Sequence, residues 1–245
     1  MLGKYDAVRY ELLRPEQVKA IRAACPIAYV PAGTLEWHGF QNPLGCDALK
    51  AHGICCEAAL RHGGAVLPPF YQGVMDEWNW GPEGWDGYTL AHNTQAMFDQ
   101  AMLGIGRALV SAGWKVLVGV TGHDVNHQRD GMARAIQAAT DGQDARGFAM
   151  MEGELHAPDA RIPFQMDHAA AWETSCMMYL CPDKVDLDTL RTRTLSADED
   201  FVMSGPEGMG GKNPLKHASA EMGRRIVQTM GDLIGAKAKA MLAAR

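Results

Sequence analysis

Four short apolar runs, "PIAYVPAG" (26–33), "AVLPPF" (65–70), "KVLVGVTG" (115–122) and "GFAMM" (147–151), constrain this chain more than any other feature. They are bounded by Gly or Pro, too brief for helices, and uniformly apolar, as expected of strands buried on both faces. Between them lie longer stretches of helical period. The patterning predicts helices over 46–62, over 94–112 with Asn93 or Thr94 as cap, and over 126–140, 168–180 and 214–243. Strands alternating with helices make an α/β layer sandwich, and 245 residues, 47% of them hydrophobic, can bury one substantial core, so a single domain over 1–245 is expected.

Composition excludes several classes of function. The net charge is −6 and the Lys and Arg residues are scattered, which argues against nucleic-acid and anionic-membrane partners, because both require clustered positive charge. The N-terminal stretch lacks the apolar core of a signal peptide, and no segment approaches the roughly 18 apolar residues of a membrane span, so a cytoplasmic location is expected. Cys25, Cys46, Cys55, Cys56, Cys176 and Cys181 contain no CxxC pair and read as reduced, mostly buried thiols. No G-x-S-x-G elbow is present, and "GIGRAL" and "GMGGKN" lack the glycines and context of nucleotide-binding loops. A cysteine hydrolase built on Cys46 is disfavoured because the neighbouring Asp47 carboxylate would raise the thiol pKa.

The candidate chemistry gathers where strands end, as it does in open α/β sheets. "GTLEWHGFQNPLGCD" (33–47) brings Glu36, His38 and Asp47 together after the first run. Two acids and an imidazole at one point are unfavourable unless something cationic sits among them, and a divalent metal is the obvious candidate. In extended chain Glu36 and His38 project to one side and Trp37 to the other. Taken alone, E-x-H also fits a solvated loop, and Asp47 also fits a helix N-cap. His123 and Asp124 follow the third run inside "TGHDVNHQ"; a solvated turn is the plain alternative, and His127 reads as a surface or supporting residue. In "DHAAAWETS", His168 and Glu173 can reach one pocket if His168 precedes the helix. A Glu among Trp172, Cys176, Met177 and Met178 would be costly without a partner, which favours a ligand role.

Read together, "PAGTLEWHGFQNPLGCDALKAHGICCEAA", "VLVGVTGHDVN", "DHAAAWETS" and "GGKNPLKHASAEMGRRI" resemble, in the same order, the creatininase (creatinine amidohydrolase) family over roughly residues 28–232. The first block is the most specific, since it matches the family's E-x-H-G followed by P-x-G-x-D. The resemblance implies a three-layer α/β/α sandwich with a mostly parallel central sheet. It also implies two divalent metal ions (Zn, Mn or Fe) and a homo-oligomer, a hexamer built from dimers. Glu36, His38, Asp47, His123 and Glu173 match the metal ligands, with Asp47 as the bridge, and His168 matches a proton-handling histidine.

The chain departs from the family at Gly122-His123-Asp124-Val125-Asn126, where members show G-H-G-G-N or, in creatininase itself, G-H-Y-E-N. Val125 cannot bind a metal, so Glu173 is expected to supply the missing carboxylate and to serve catalysis with His168. The family's S-x-E-H-x-x-F-P-G pattern is replaced by "DEWNWGPEGWDGY" (76–88), where substrate choice is expected to reside. Trp78, Trp80 and Trp85 could stack on a flat or cyclic substrate or form an oligomer contact. Asp124, Lys212, Lys50 and His52 are further candidate substrate contacts. The resulting expectation is a hydrolase that opens a small cyclic or amide compound through a metal-bridging hydroxide. The alternatives are C–C hydrolysis of a cyclic ketone of the oxidised-inositol type on the same site, or a metal-binding protein without turnover.

Overall fold

A computed structural model of the chain describes residues 2–74, 89–90, 94–193 and 208–244. After two short N-terminal elements, the helix α1 (Leu2–Tyr5) and a 3-10 turn at Tyr10–Leu12, comes α2 (Pro15–Ala24). The sequence patterning names no helix there, although Pro15 in the first turn and Gln17, whose side chain accepts the Arg14 N–H at 2.9 Å, are ordinary start signals. The chain then runs through β1 (Ile27–Ala32), α3 (Cys46–His62), β2 (Ala65–Val66), α4 (Gln95–Ser111), β3 (Val116–Thr121), α5 (Asn126–Thr140) and β4 (Arg146–Met151). It closes with α6 (Ala171–Leu180), α7 (Asp188–Arg191), α8 (Pro214–His217) and α9 (Ala220–Ala243).

Among the described residues the four strands form one parallel sheet in the order β2-β1-β3-β4. Parallel neighbours need long crossovers, which α3, α4 and α5 provide. Both sheet faces are covered, and residues alternate between them along each strand. Ile27, Tyr29, Val116, Val118 and Val120 pack under α3, α6 and α9, while Ala28, Val30, Ala32 and Leu117 pack under α4 and α5, with α2 at the margin. The three-layer α/β/α sandwich is therefore as expected, and burial on both faces explains why the strands read as continuous apolar runs. Because β2 and β3 lie on opposite sides of β1, the order reverses between β1 and β3, and the carboxyl ends of those two strands open a crevice.

Three expected boundaries move, each for a local reason. The run 65–70 pairs through Ala65 and Val66 only, since Pro68 and Pro69 have no N–H to give, and Phe70 adds an isolated bridge to Ala32. The helix expected over 168–180 begins at Ala171, because Asp167 accepts the N–H groups of Trp172 and Glu173 at 2.8 and 3.3 Å and holds His168 ahead of the first turn. The helix expected over 214–243 is two, α8 and α9, divided where Ser219 caps α9 by accepting the Met222 N–H at 3.1 Å.

Helix α9 crosses α6 so closely that a Cβ on Gly223 would lie 1.8 Å from the Ser175 carbonyl oxygen. Gly223→Ala is expected to lower stability by about 1–3 kcal/mol despite the better helix propensity of Ala, because one helix must retreat. Thermal denaturation followed by circular dichroism should show the fall in Tm.

Candidate metal centre

The crevice between the ends of β1 and β3 is where α3 begins. Asp47, in the first turn of α3, reaches this edge because two glycines let the helix touch the strand ends. A Cβ at Gly33 would lie 2.3 Å from the Ala48 nitrogen, and one at Gly122 would lie 2.1 Å from the Asp47 carbonyl oxygen. Glu36 and His38 descend from β1, His123 from β3, and His168 and Glu173 from the start of α6, so with the start of α3 four strand and helix ends converge.

The convergence is tight. Asp47 Oδ1 lies 2.9 Å from His38 Nε2, while its Oδ2 lies 3.3 Å from His123 Nδ1. His38 Nε2 is also 3.3 Å from Glu173 Oε2, and His123 Nδ1 is 3.0 Å from Glu36 Oε1. Each imidazole is oriented by its other nitrogen: His38 Nδ1–H donates to the Glu36 carbonyl and His123 Nε2–H donates to the Val74 carbonyl, both at 3.1 Å. The nitrogen of each ring that faces the acids must then carry either a proton or a cation. Donor atoms of Glu36, Asp47 and His123 lie within 4.8 Å of one another, as do those of Glu36, His38 and His168 and those of His38, Cys46 and Glu173. Asp47 Oδ2 is buried and makes no hydrogen bond. This N/O donor set, with an unsatisfied oxygen at its centre, fits divalent cations.

Electrostatics agree with that chemistry. Burial opposes charge throughout, but Glu173 and Asp47 hold His38 protonated well above its usual range, and Glu36 and Asp47 push His123 up to about 10. Burial would raise Asp47, yet His38 and His123 hold its carboxyl well below the carboxylate range; Lys50 and His38 likewise bring Glu173 to about 2. His168 differs: burial and the nearby His38 charge lower its pKa. Its ring lies 4.8 Å from that of His38, centroid to centroid, and its Nδ1 is 3.9 Å from Glu36 Oε1. Ala169, next to it, has φ 56°, a left-handed conformation costly for a residue with a Cβ. The Gln41 side chain donates to the Ala169 carbonyl at 2.6 Å and the Ala169 N–H donates to Glu173 Oε2, so the strained turn is locked by its surroundings.

Glu36, His38, Asp47, His123, His168 and Glu173 are thus brought together. Segment 33–44 is not a strand, but Trp37 does point away, packing edge-on against Phe40 at 4.9 Å. Asp124 is exposed beside the site, and Val125 presents no donor atom. Lys212 is half-buried, and its carbonyl accepts the Ala171 N–H at 3.0 Å. Trp78, Trp80 and Trp85 lie outside the described residues. Lys50, expected at the substrate, is instead 1% exposed, bonded to Glu173 and 3.1 Å from Glu152 Oε1. No motif in the sequence marks Glu152. Burial pushes its carboxyl up to about 8 against the pull of Lys50, and Trp172 Nε1–H donates to it at 2.9 Å. Its signal was positional: an acid directly after an apolar run, at the same sheet edge as the other ligand candidates.

With this geometry in view, comparison with known proteins is decisive. The family model for creatininase, creatinine amidohydrolase, matches residues 11–237. The chain belongs to the creatininase family. It is accordingly a creatininase-family hydrolase, a metal-dependent amidohydrolase by class. The creatinine amidohydrolase of Pseudomonas putida is 25% identical over 198 residues, 73% of this chain and 73% of its own. A mutant creatininase complexed with creatine has a TM-score of 0.77 at 24% identity, covering 96% of this chain and 98% of that one. A Zn–Zn form of a mutant creatininase has a TM-score of 0.75 at 24% identity, covering 95% and 97%. At such identities these likenesses show the creatininase fold. Among the described residues no helix is long and apolar enough to cross a membrane.

Two measurements follow for the metal-free protein. Because His38 and His123 are protonated at pH 7 without a cation, Zn(II) uptake should release about two protons, readable by pH-stat or by calorimetry in buffers of different ionisation enthalpy. His123 is raised from 6.5 to about 10, so the stability it contributes is fully present below pH 6.5 and lost as pH rises through about 10. Urea denaturation midpoints should fall across that window and should do so less in Zn-loaded protein. In addition, Gly122→Ala is expected to displace Asp47 and weaken Zn binding at least about tenfold, measured by competition with a chromogenic chelator.

Proposed function

We propose that this chain is a dinuclear metal-dependent amidohydrolase that opens a small cyclic or amide substrate at a C–N bond. The observation that carries the reading is Asp47, whose two carboxylate oxygens turn toward two different imidazoles, His38 and His123. In this reading Glu36, Asp47 and His123 would hold one divalent ion and His38, Asp47 and Glu173 the other, Zn and Mn being the metals named for related structures. When bound, such ions lower the pKa of water toward neutrality and polarise a carbonyl.

The chain's own residues account for the remaining work. His168 has the most exposed side chain of the site's imidazoles, 23% against 7% for His123 and 0% for His38, so it is the one able to meet a substrate. Its lowered pKa keeps it neutral near pH 7, ready to take a proton from the attacking water and pass it to the leaving nitrogen. Gln41 and the locked Ala169 turn fix the ring's approach. Asp124 at the exposed margin, and the Trp-rich segment 76–88, are the proposed selectors of substrate. As the resemblance implies, the enzyme is taken to act as a homo-oligomer; light scattering tests the assembly.

The class of reaction is tested by incubating Zn- or Mn-loaded protein with creatinine, other cyclic amides and a cyclic ketone, and identifying products by mass spectrometry. Ring-opened amide is expected. Opening of the ketone alone would move the enzyme to C–C hydrolysis, and no turnover with a filled site would leave a metal-binding protein. Asp47→Ala should lose both ions and activity, whereas His168→Ala should keep its ions and lose about a hundredfold or more in kcat.

A further inference from the structure

One buried charge takes no part in the chemistry above. Lys50 follows Asp47 by one turn of α3, is 1% exposed, and sends its ammonium into a group of acids. It bonds Glu173 Oε1 and lies 3.1 Å from Glu152 Oε1 and 3.9 Å from Asp47 Oδ1. These contacts are one-sided. Asp47 Oδ1 and the Glu173 carboxylate are the oxygens that face His38 Nε2, at 2.9 and 3.3 Å. On the His123 side the oxygens are Glu36 Oε1 and Asp47 Oδ2, and among the described residues the ion pairs of Glu36 are with imidazoles. Val125, in the loop leading to α5, adds no oxygen to either side.

We propose that Lys50 is a positioning residue that serves as a resident monovalent cation on the His38 side, so that the two cation subsites are unequal. The Glu36–Asp47–His123 subsite holds its ion firmly, and the His38–Asp47–Glu173 subsite holds its ion loosely and exchanges it. The inference rests on the two-ion reading of the site. Its physical basis is twofold: the ammonium occupies one oxygen of Glu173, and its charge opposes the arrival of a second cation beside it. Charges about 4 Å apart inside a protein interact strongly enough to change affinity by a factor of about 100 or more.

The test is calorimetric titration of metal-free wild type, Lys50→Met and Lys50→Arg with Zn(II), together with elemental analysis of ions retained after desalting. Wild type should retain about one ion per chain and bind the second about 100-fold or more weakly, with Lys50→Arg behaving alike. Lys50→Met should narrow the gap at least about tenfold, and Zn should raise its Tm more than that of wild type, because the ion replaces the missing charge. Two ions of equal affinity in wild type would overturn the proposal while leaving the hydrolase reading intact, and so would an unchanged gap in Lys50→Met. If Lys50→Met fails to fold, equal affinities in wild type still overturn the proposal. Failure of wild type to bind any ion would remove the two-ion reading and this inference with it.

Discussion

The Asp47 carboxylate, shared between His38 and His123, is the contact around which the rest of the site is arranged. A carboxylate whose two oxygens face two different rings can do so only if its backbone is held at the sheet edge and if both rings present the correct nitrogen. The first condition is met by Gly33 and Gly122, whose missing side chains let the start of α3 rest on the ends of β1 and β3. The second is met by the Glu36 and Val74 carbonyls, which tie down the far nitrogen of each ring. The N-terminal end of α3 adds a favourable field for the negative charge.

Such a cluster works against folding. Glu36, Asp47, Lys50, Glu152 and Glu173 are all within a few per cent of complete burial, and breaking one buried pair typically costs about 3–5 kcal/mol against a whole-domain stability of about 5–15 kcal/mol. The cluster is tolerable because charges of opposite sign alternate within it and because two apolar cores, one on each sheet face, supply the stabilisation. The left-handed Ala169 is a smaller instance of the same balance, an unfavourable backbone held by hydrogen bonds to Gln41 and Glu173 so that His168 faces the crevice.

The charge balance of this site is made by residues outside the ligand motifs. The resemblance implied that Glu173 supplies the carboxylate missing at Val125, and the structure shows Glu173 embedded in a chain of contacts running from Glu152 through Lys50 to His38. A ligand's role is set by what its second oxygen touches as much as by its first. Lys50 and Glu152 are far apart in sequence and carry no motif, so their partnership is invisible until the fold brings the Lys50 side chain to Glu152, just after β4.

The sequence by itself determined the α/β alternation, the limits of α3 and α5 to the residue, and the identity of the residues that converge, because hydrophobic period and strand-end position are local properties. It also carried the caps that redraw α6 and α9, Asp167 and Ser219, although their effect shows only once their partners are placed. Tertiary structure alone decided which oxygen of Asp47 meets which ring, that Lys50 is buried among acids, and that Lys212 supports α6 through its backbone. The physical reason is range: backbone propensity acts over a few residues, whereas the pairing of buried charges depends on distances of a few ångströms between segments that meet only when the sheet and its helix layers close.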